Sequence, residues 1–437
     1  MNMRLLGSLG SDRRLSPCLA ICFASLLPLG AQAQNVVTQW NDIAITQSRA
    51  STEPGATSAG ATSLYVAYVQ LAVYNSVVAI EGRFKPYGHY RVAAPKGASP
   101  DAAAVEAAYR MLLHLLPDRA APLAADYDLS MAAIPDGPSK TAGQSVGLSS
   151  ANALIALRAG DGLGVPWPYT YPSTPEPGVY IPTPGVTSLV TPWAGQMRPF
   201  TFDDPAEFLP DEPPTPLNSR EWAKDYNEVK SLGAVNSTVR TPAQTEVGRF
   251  WTDHTTAQYG NMLQLLAMQE NMSVLDSSRL MAMSFTSLAD AYIGCFNGKY
   301  HFSFWRPVTA IRNGDIDGNA LTVADPAWTP LGSTPGHPEY PAAHACLTGS
   351  LAHTLEQYFG TPRVHLTVSS AVTNTTHYFQ NVHELEREVE GARIYAGFHY
   401  RHSLVEGFEL GHNVVKQMLR HNFRRVGDEN EESEDTD

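Results

Sequence analysis

Apolar residues in the first half of the chain recur mostly at helical spacing. The run 64–80 is almost continuously apolar, but three polar residues interrupt it, so it predicts a buried core helix rather than a membrane span. Ser99 is a typical N-cap and Pro100 a typical first-turn residue, and together they predict a helix that ends near Leu116. A third helix is predicted over 144–159.

A segment rich in proline separates these helices from the rest of the chain. Residues 166–216, called here the Pro-rich segment, contain 14 of the 32 prolines. Proline removes backbone donors and fixes φ, so we expect an irregular surface wrap that joins two halves. A disordered linker is the alternative, but Trp167 and Trp193 favour a packed segment.

Helical spacing returns after the Pro-rich segment. Thr241 and Gln244 have the spacing of a capping box. Helices are predicted at 219–232, 241–250, 261–271, 276–297, 345–358, 382–396 and 403–421, with one short β-like segment at 364–369. The predicted fold class is all-α, built of helical bundles.

The formal net charge of −13 is concentrated at one end of the chain. Seven acidic residues and no basic residue lie in 427–437, so the rest is only modestly acidic. A nucleic-acid partner is therefore not expected. We divide the chain into an N-terminal helical half at 34–217, a C-terminal helical half at 218–426 and an acidic, disordered tail at 427–437.

Residues 1–33 have the organisation of a secretory signal. Arg13 and Arg14 precede an apolar run, and the small residues Ala31 and Ala33 form a cleavage site. This predicts a periplasmic or secreted protein whose mature chain has no stable membrane span. An N-terminal membrane anchor is the alternative.

Only two of the four cysteines, Cys295 and Cys346, lie beyond the predicted signal. The chain is therefore not a disulfide scaffold. A single bridge between them and a pair of buried thiols are both compatible with the sequence.

The residues that carry chemistry are concentrated around the segment 335–345, called here the central motif. Its three prolines stiffen a loop that leads directly into a predicted helix. Free N–H groups at a helix start form a cradle for an oxyanion. His344 lies at that start, where it can give or take a proton.

Two cations lie upstream of the central motif. Lys299 and Arg306 are seven residues apart, so in a helix both would face the same way. The lysine ammonium is a point charge and the arginine guanidinium is a planar fork of N–H donors. Together they suit a tetrahedral oxyanion. A solvated surface face is the alternative for such a pair.

A third segment supplies Arg393 and His399. Six residues apart, they would point in different directions from an unbroken helix, but Gly397 lies between them and can break it. A lone histidine among apolar neighbours is commonly a satisfied core residue.

Taken together, these segments resemble the motifs of the vanadium-dependent haloperoxidases. That family shares a superfamily with type 2 phosphatidic acid phosphatases and bacterial acid phosphatases, and its pattern is K-x6-R-P, P-S-G-H and S-R-x5-H-x3-D. Here the three motifs stand, in the same order, at 299–307, 341–344 and 392–403. The resemblance implies paired helical bundles of the vanadium haloperoxidase/acid phosphatase type.

The resemblance also implies roles for individual residues. His399 would be the metal ligand to vanadate, and His344 would act as acid and base. The side chains of Lys299, Arg306 and Arg393, with the backbone N–H of Ala343, would bind the vanadate oxygens.

In the implied reaction hydrogen peroxide oxidises a halide to a hypohalous acid equivalent, which then reacts with a small organic acceptor. The resemblance leaves the oligomeric state open. His337 lies where bromoperoxidases of the family have histidine and chloroperoxidases have phenylalanine. Bromide is therefore the expected halide, ahead of chloride.

The chain departs from the family pattern at four positions. The serine and glycine of P-S-G-H are Ala342 and Ala343, and the serine before the arginine is Ala392. The aspartate after the ligand histidine is Ser403, which removes a carboxylate partner for that histidine. Candidate replacements are Glu384, Glu386 and Glu406.

Two other functions remain open at the same site. An acid phosphatase would use His399 as the nucleophile and His344 as the acid. A non-catalytic exported oxyanion-binding protein would use the same cations without turnover. Zinc hydrolysis is not expected, because the sequence has no H-E-x-x-H motif or cysteine pairs at ligand spacing.

Overall fold

The computed structural model describes residues 35–427, and almost all of the regular secondary structure in this part of the chain is helical. It contains thirteen α-helices and one antiparallel pair of strands. The helices are α1 Val36–Arg49, α2 Thr62–Glu81, α3 Pro100–Leu115, α4 Ala120–Ala132, α5 Pro138–Leu157, α6 Arg220–Leu232, α7 Pro242–Phe250, α8 Thr255–Gln269, α9 Val274–Phe302, α10 Pro307–Arg312, α11 Ala343–Phe359, α12 Val382–Tyr395 and α13 Arg401–His421. The strands are β1 Leu366–Ser370 and β2 Thr375–Phe379. The predicted all-α fold class is confirmed.

Helix α2 forms the centre of the N-terminal bundle. Its residues from Thr62 to Val78 are all buried, because α3, α5 and α9 pack around it. By length and composition it is the one helix of the described part that could cross a membrane, but it lies inside the protein. The prediction of a buried core helix is confirmed.

Capping residues set several helix starts as predicted. The Ser99 hydroxyl accepts the Ala102 N–H at 3.2 Å, and α3 begins at Pro100. Thr241 and Gln244 form the predicted capping box at the start of α7. Helices α1, α4 and α10 were not predicted, and neither was strand β2.

The Pro-rich segment contains no α-helix, as predicted, but it is packed rather than free. Trp193 is buried in the main core. The buried carboxylate of Asp290 on α9 accepts the backbone N–H of Phe200 at 2.6 Å and that of Thr201 at 3.0 Å. These contacts attach the segment to the longest helix of the chain.

The C-terminal bundle is held together by close contact between α11 and α13. Gly407 and Gly411 lie on the contact face of α13, and a Cβ on Gly411 would lie 2.4 Å from the Cys346 carbonyl oxygen. The two backbones can approach only because these positions carry no side chain.

The condition under which Lys299 and Arg306 would face the same way, a helix running through both, is not met. Helix α9 ends at Phe302, and Ser303 has a left-handed conformation with φ of 48°. Arg306 then lies at the N-cap of α10. Lys299 and Arg306 therefore do not share a helix, although both reach the same region.

The predicted signal (1–33) lies outside the described residues, as does nearly all of the predicted tail (427–437). The described residues, 35–427, form one compact unit. Its main core includes residues on both sides of position 217, where the sequence suggested a boundary.

Candidate active site

Three cations and one carboxylate are buried together beneath the central motif. Lys299 and Arg306 are 0% exposed and Arg393 is 1% exposed. Glu339, also 0% exposed, is the acid whose charge acts on both Lys299 and Arg306. A buried charge is costly unless it is paired, so this excess of positive charge points to an anionic ligand.

Arg306 joins the central motif to the His399 segment. Its Nε donates to the His337 carbonyl at 2.9 Å, and its Nη2 donates to the His337 ring at 2.9 Å. Its Nη1 donates to the Phe398 carbonyl at 3.0 Å and to Nε2 of His399 at 3.1 Å. The guanidinium thus fixes both histidines.

Lys299 stabilises the loop of the central motif. Its ammonium donates to the carbonyls of Pro338 at 3.1 Å and Glu339 at 2.9 Å, and also to that of Pro341. The side chain lies behind the cavity described below and contributes its charge from there.

Arg393 is the cation that faces the cavity. Its Nη1 donates to the Trp251 carbonyl at 2.7 Å, and its guanidinium lies over the Phe398 ring. Its buried Nε has no hydrogen-bond partner among residues 35–427. A buried N–H group without a partner, on a residue that lines a cavity, can donate a hydrogen bond to an oxygen of a bound ligand.

His399 has the carboxylate partner that Ser403 does not supply. Oε1 of Glu339 lies 2.9 Å from Nδ1 of His399, and the Ser403 hydroxyl donates to Oε2 of Glu339 at 2.6 Å. Neither Glu384 nor Glu386 has this role: Glu384 interacts with Asn381, and Glu386 pairs with His412.

Glu406 lies at a separate acidic pocket, so none of the three candidate glutamates was right. Glu339 was missed because family spacing placed the carboxylate after the histidine. The feature of the sequence that could have identified Glu339 was its position inside the central motif.

His344 faces the cavity from the first turn of α11. Its Nε2 lies 3.0 Å from the hydroxyl of Thr255 at the start of α8, and it hydrogen-bonds to the backbone of Trp251. The junction between α7 and α8 thus orients this histidine. Neither Thr255 nor Trp251 was predicted, because both come from another part of the chain.

The start of α11 is open to a ligand. The Ala342 N–H donates to the Ser403 carbonyl at 2.9 Å, but no side chain caps the helix. Ala343 and His344 follow at the first helical positions and line the cavity. Uncapped N–H groups at a helix start bind anions.

Burial sets the protonation of the site. It lowers the pKa of His344 and of His399 well below 6.5, and the neighbouring Arg and Lys charges act in the same direction. Burial also lowers the pKa of Lys299 to about 8 and raises that of Glu339 to about 7. The histidines are therefore neutral at pH 7 and can offer a lone pair.

A cavity of about 740 Å³ opens onto these groups. His337, His344, Arg393 and His399 are among the residues that line it. Much of the remaining lining is apolar and includes Trp167, Leu189 and Trp193 of the Pro-rich segment, together with Tyr292, Phe296 and Leu347. The Pro-rich segment thus forms a wall of the site.

The two cysteines lie beneath the site as free, buried thiols. The Cys295 thiol accepts a hydrogen bond from the Cys346 thiol and donates to the Pro341 carbonyl oxygen at 3.8 Å. Of the two alternatives left open by the sequence, the structure has the unbridged pair.

The predicted site residues converge, and their donors fit a tetrahedral oxyanion. The unpaired Nε of Arg393 and the uncapped start of α11 supply donors, and Nε2 of His399 supplies a lone pair. The fold and the site define an all-α protein of the helical-bundle class with a pocket beside three buried cations.

Known proteins share this architecture. Residues 279–428 match the family model of the VCPO second helical-bundle domain. The vanadium chloroperoxidase of Curvularia inaequalis is 27% identical over a region covering 35% of this chain and 30% of that protein. The match thus spans less than a third of that protein's length.

Solved structures agree over nearly the whole chain. A bacterial vanadium-dependent iodoperoxidase has a TM-score of 0.73 and 22% identity, covering 89% of this chain and 97% of that one. A holo-type bacterial vanadium-dependent chloroperoxidase has a TM-score of 0.69 and 15% identity, with 90% and 98% covered. The family model and the curated relative support the vanadium haloperoxidase family for part of the chain, and the solved structures show that the described fold is the one these haloperoxidases have.

Proposed function

We propose that this protein is a vanadate-dependent haloperoxidase that uses hydrogen peroxide to oxidise a halide, with bromide preferred over chloride. The observation that carries the proposal is the convergence of buried Lys299, Arg306 and Arg393 with Nε2 of His399, the ring nitrogen that carries a lone pair and accepts from Arg306. Bound vanadate would supply a Lewis-acidic centre that activates peroxide.

The chain's own residues would hold this group and manage its protons. His399 would bind through Nε2, Arg393 through its unpaired Nε, and Ala343 through its backbone N–H. Lys299 and Arg306 would balance the charge from behind. His344, neutral and held by Thr255, would take a proton from incoming peroxide and return it to the leaving oxygen.

The largely apolar part of the cavity suits a small organic acceptor. Trp167, Leu189 and Trp193 would contact its apolar surface close to where a hypohalous acid equivalent forms. The solved relatives include an iodoperoxidase and a chloroperoxidase, so iodide, bromide and chloride all belong in the assay.

A phosphatase is the second candidate, and one observation favours it. A phosphohistidine mechanism needs an acidic partner for the nucleophilic histidine, and Glu339 provides one at 2.9 Å from Nδ1 of His399. The missing aspartate at position 403 is therefore no argument against phosphate transfer.

Two assays on one purified preparation separate these functions. The first measures bromination of a phenolic dye with peroxide, with and without added vanadate. The second measures phosphate release from a chromogenic monoester. Vanadate-dependent bromination that disappears in His399→Ala supports the haloperoxidase. Phosphate release that vanadate inhibits, without bromination, supports the phosphatase. Anion binding without turnover in either assay supports a non-catalytic binding protein.

A further inference from the structure

The hydrogen bonds around His399 determine which ring nitrogen carries the proton. Nη1 of Arg306 lies 3.1 Å from Nε2, and a guanidinium can only donate. Nε2 must therefore be the accepting nitrogen. A neutral imidazole then carries its proton on Nδ1, where Oε1 of Glu339 accepts it at 2.9 Å. Two independent contacts thus define the same tautomer.

Glu339 is itself held in place from two sides. Its Oε1 also accepts the backbone N–H of Tyr400 at 3.0 Å, and its Oε2 accepts the hydroxyl of Ser403 at 2.6 Å. Its own backbone N–H donates to the Phe304 carbonyl at 2.9 Å. The carboxylate has little freedom to leave Nδ1.

His399 keeps a carboxylate partner in this chain, but the carboxylate comes from a different position than in the family motif. The family motif has its aspartate at the position that Ser403 occupies here. In this chain Ser403 donates to a carboxylate that comes from the central motif instead. The result is a chain of hydrogen bonds from Ser403 through Glu339 to His399.

We propose that Glu339 is a positioning residue that holds His399 in the Nδ1–H tautomer and so presents Nε2 to an oxyanion, with Ser403 orienting Glu339. The inference rests on the proposed function only in taking an oxyanion as the ligand. It applies equally to vanadate and to phosphate, because both would meet the same nitrogen.

The test uses the anion-free full chain and then two anions. Nitrogen-15 NMR of the histidine rings reports the tautomer of His399, assigned by its loss in His399→Gln. Calorimetry reports the affinities for vanadate and inorganic phosphate. Glu339→Ala removes one of the two contacts and leaves the Arg306 donation to Nε2, so we expect the Nε2–H tautomer to appear beside a still predominant Nδ1–H tautomer, with at least a tenfold loss of affinity for both anions.

Glu339→Gln separates position from charge. Its amide oxygen can still accept from Nδ1, so we expect the Nδ1–H tautomer and an affinity within about threefold of wild type. Ser403→Ala should give a smaller loss than Glu339→Ala. Glu386→Gln, which changes a carboxylate that pairs with His412 instead, is the matched control and should have no effect.

The proposal is overturned if Glu339→Ala keeps the single tautomer and wild-type anion affinity, even with a lowered melting temperature. If Glu339→Ala does not fold, the other two variants decide. Loss of the Nδ1–H tautomer in Glu339→Gln would overturn the proposal, and so would an unchanged anion affinity in Ser403→Ala. Absence of bromination by the wild-type protein would refute the proposed haloperoxidase but leave the tautomer result intact.

Discussion

The guanidinium carbon of Arg393 lies 4.8 Å from the centre of the Phe398 ring, while its Nη1 donates to the Trp251 carbonyl. Stacking on one side and a hydrogen bond at one end hold the planar group in a single orientation. Its buried Nε is left without a hydrogen-bond partner among residues 35–427, and Arg393 is one of the residues that line the cavity. The protein's own groups thus hold the guanidinium in place.

Replacing Arg393 by lysine should weaken anion binding even though the charge is kept. Lysine lacks the planar fork and cannot place a donor where Nε stands. We expect the affinities for vanadate and phosphate to fall about tenfold, close to 1.4 kcal/mol. Calorimetry on the purified protein measures both.

Arg401→Lys is the matched control for this substitution. Arg401 pairs with Glu228 and Glu390 at a more exposed position away from the cavity. It should leave anion affinity unchanged. Equal affinities in Arg393→Lys and wild type would show that Arg393 acts through charge alone.

Anion affinity should decrease as the pH rises above about 8. Burial lowers the pKa of Lys299 from 10.5 to about 8 in the anion-free protein. Between these values the folded chain holds fewer protons than the unfolded chain, so its stability rises with pH. A bound anion favours the charged ammonium, so its affinity changes in the opposite direction.

Phosphate binding between pH 7 and 10 tests this, because phosphate is predominantly a dianion above pH 8. Lys299→Met removes the titrating group while keeping a similar volume. We expect it to bind phosphate about tenfold more weakly at pH 7, with a flatter dependence on pH. Parallel profiles for wild type and Lys299→Met would assign the pH dependence to another group.

His337→Phe should shift halide preference from bromide toward chloride. His337 accepts a hydrogen bond from Arg306 and contacts Phe296 with ring centres 5.2 Å apart. Phenylalanine keeps the ring contact but removes the acceptor, and it is the residue that the chloroperoxidases resembled here have at this position. We expect at least a fivefold change in the ratio of bromide to chloride turnover.

The control for His337→Phe is His412→Phe. His412 is a partly exposed histidine that pairs with Glu386. It should leave the ratio unchanged. An unchanged ratio in His337→Phe, with vanadate affinity intact, would remove this residue from halide selection.

Motif spacing located the cations and histidines of the site, because each motif keeps its residues close along the chain. Lys299, Arg306, Arg393 and His399 all lie in the buried cluster. The spacing could not reveal Thr255, whose contact with His344 joins residues 89 positions apart. Such contacts depend on how α8 packs against α11, and no local pattern encodes that packing.

The helix boundary at Ser303 shows a different limit. The helix predicted over 276–297 stops five residues short of Phe302, and the common facing of Lys299 and Arg306 required a helix through both of them. Arg306, however, precedes Pro307, and a residue before proline avoids helical backbone angles. That local signal was in the sequence and indicated a boundary, which the structure has at Phe302.

Close packing of α11 against α13 should make Gly411→Ala strongly destabilising. The added Cβ would lie 2.4 Å from the Cys346 carbonyl oxygen and 2.6 Å from the Ser350 nitrogen, and backbone atoms cannot rotate away. We expect the free energy of unfolding to fall by about 2–3 kcal/mol. Denaturant unfolding followed by circular dichroism measures this.

Gly294→Ala is the matched control, since it makes the same change inside α9. Its added Cβ would have no neighbour closer than 3.9 Å, so the substitution should be neutral or stabilising by up to about 1 kcal/mol.

Helix α11 begins with the residues that form the site, and α13 begins two residues after His399. A Gly411→Ala protein that folds should therefore also bind vanadate more weakly, because separating the two helices displaces His344 from His399. Wild-type stability and affinity in Gly411→Ala would mean that the helices tolerate a wider spacing.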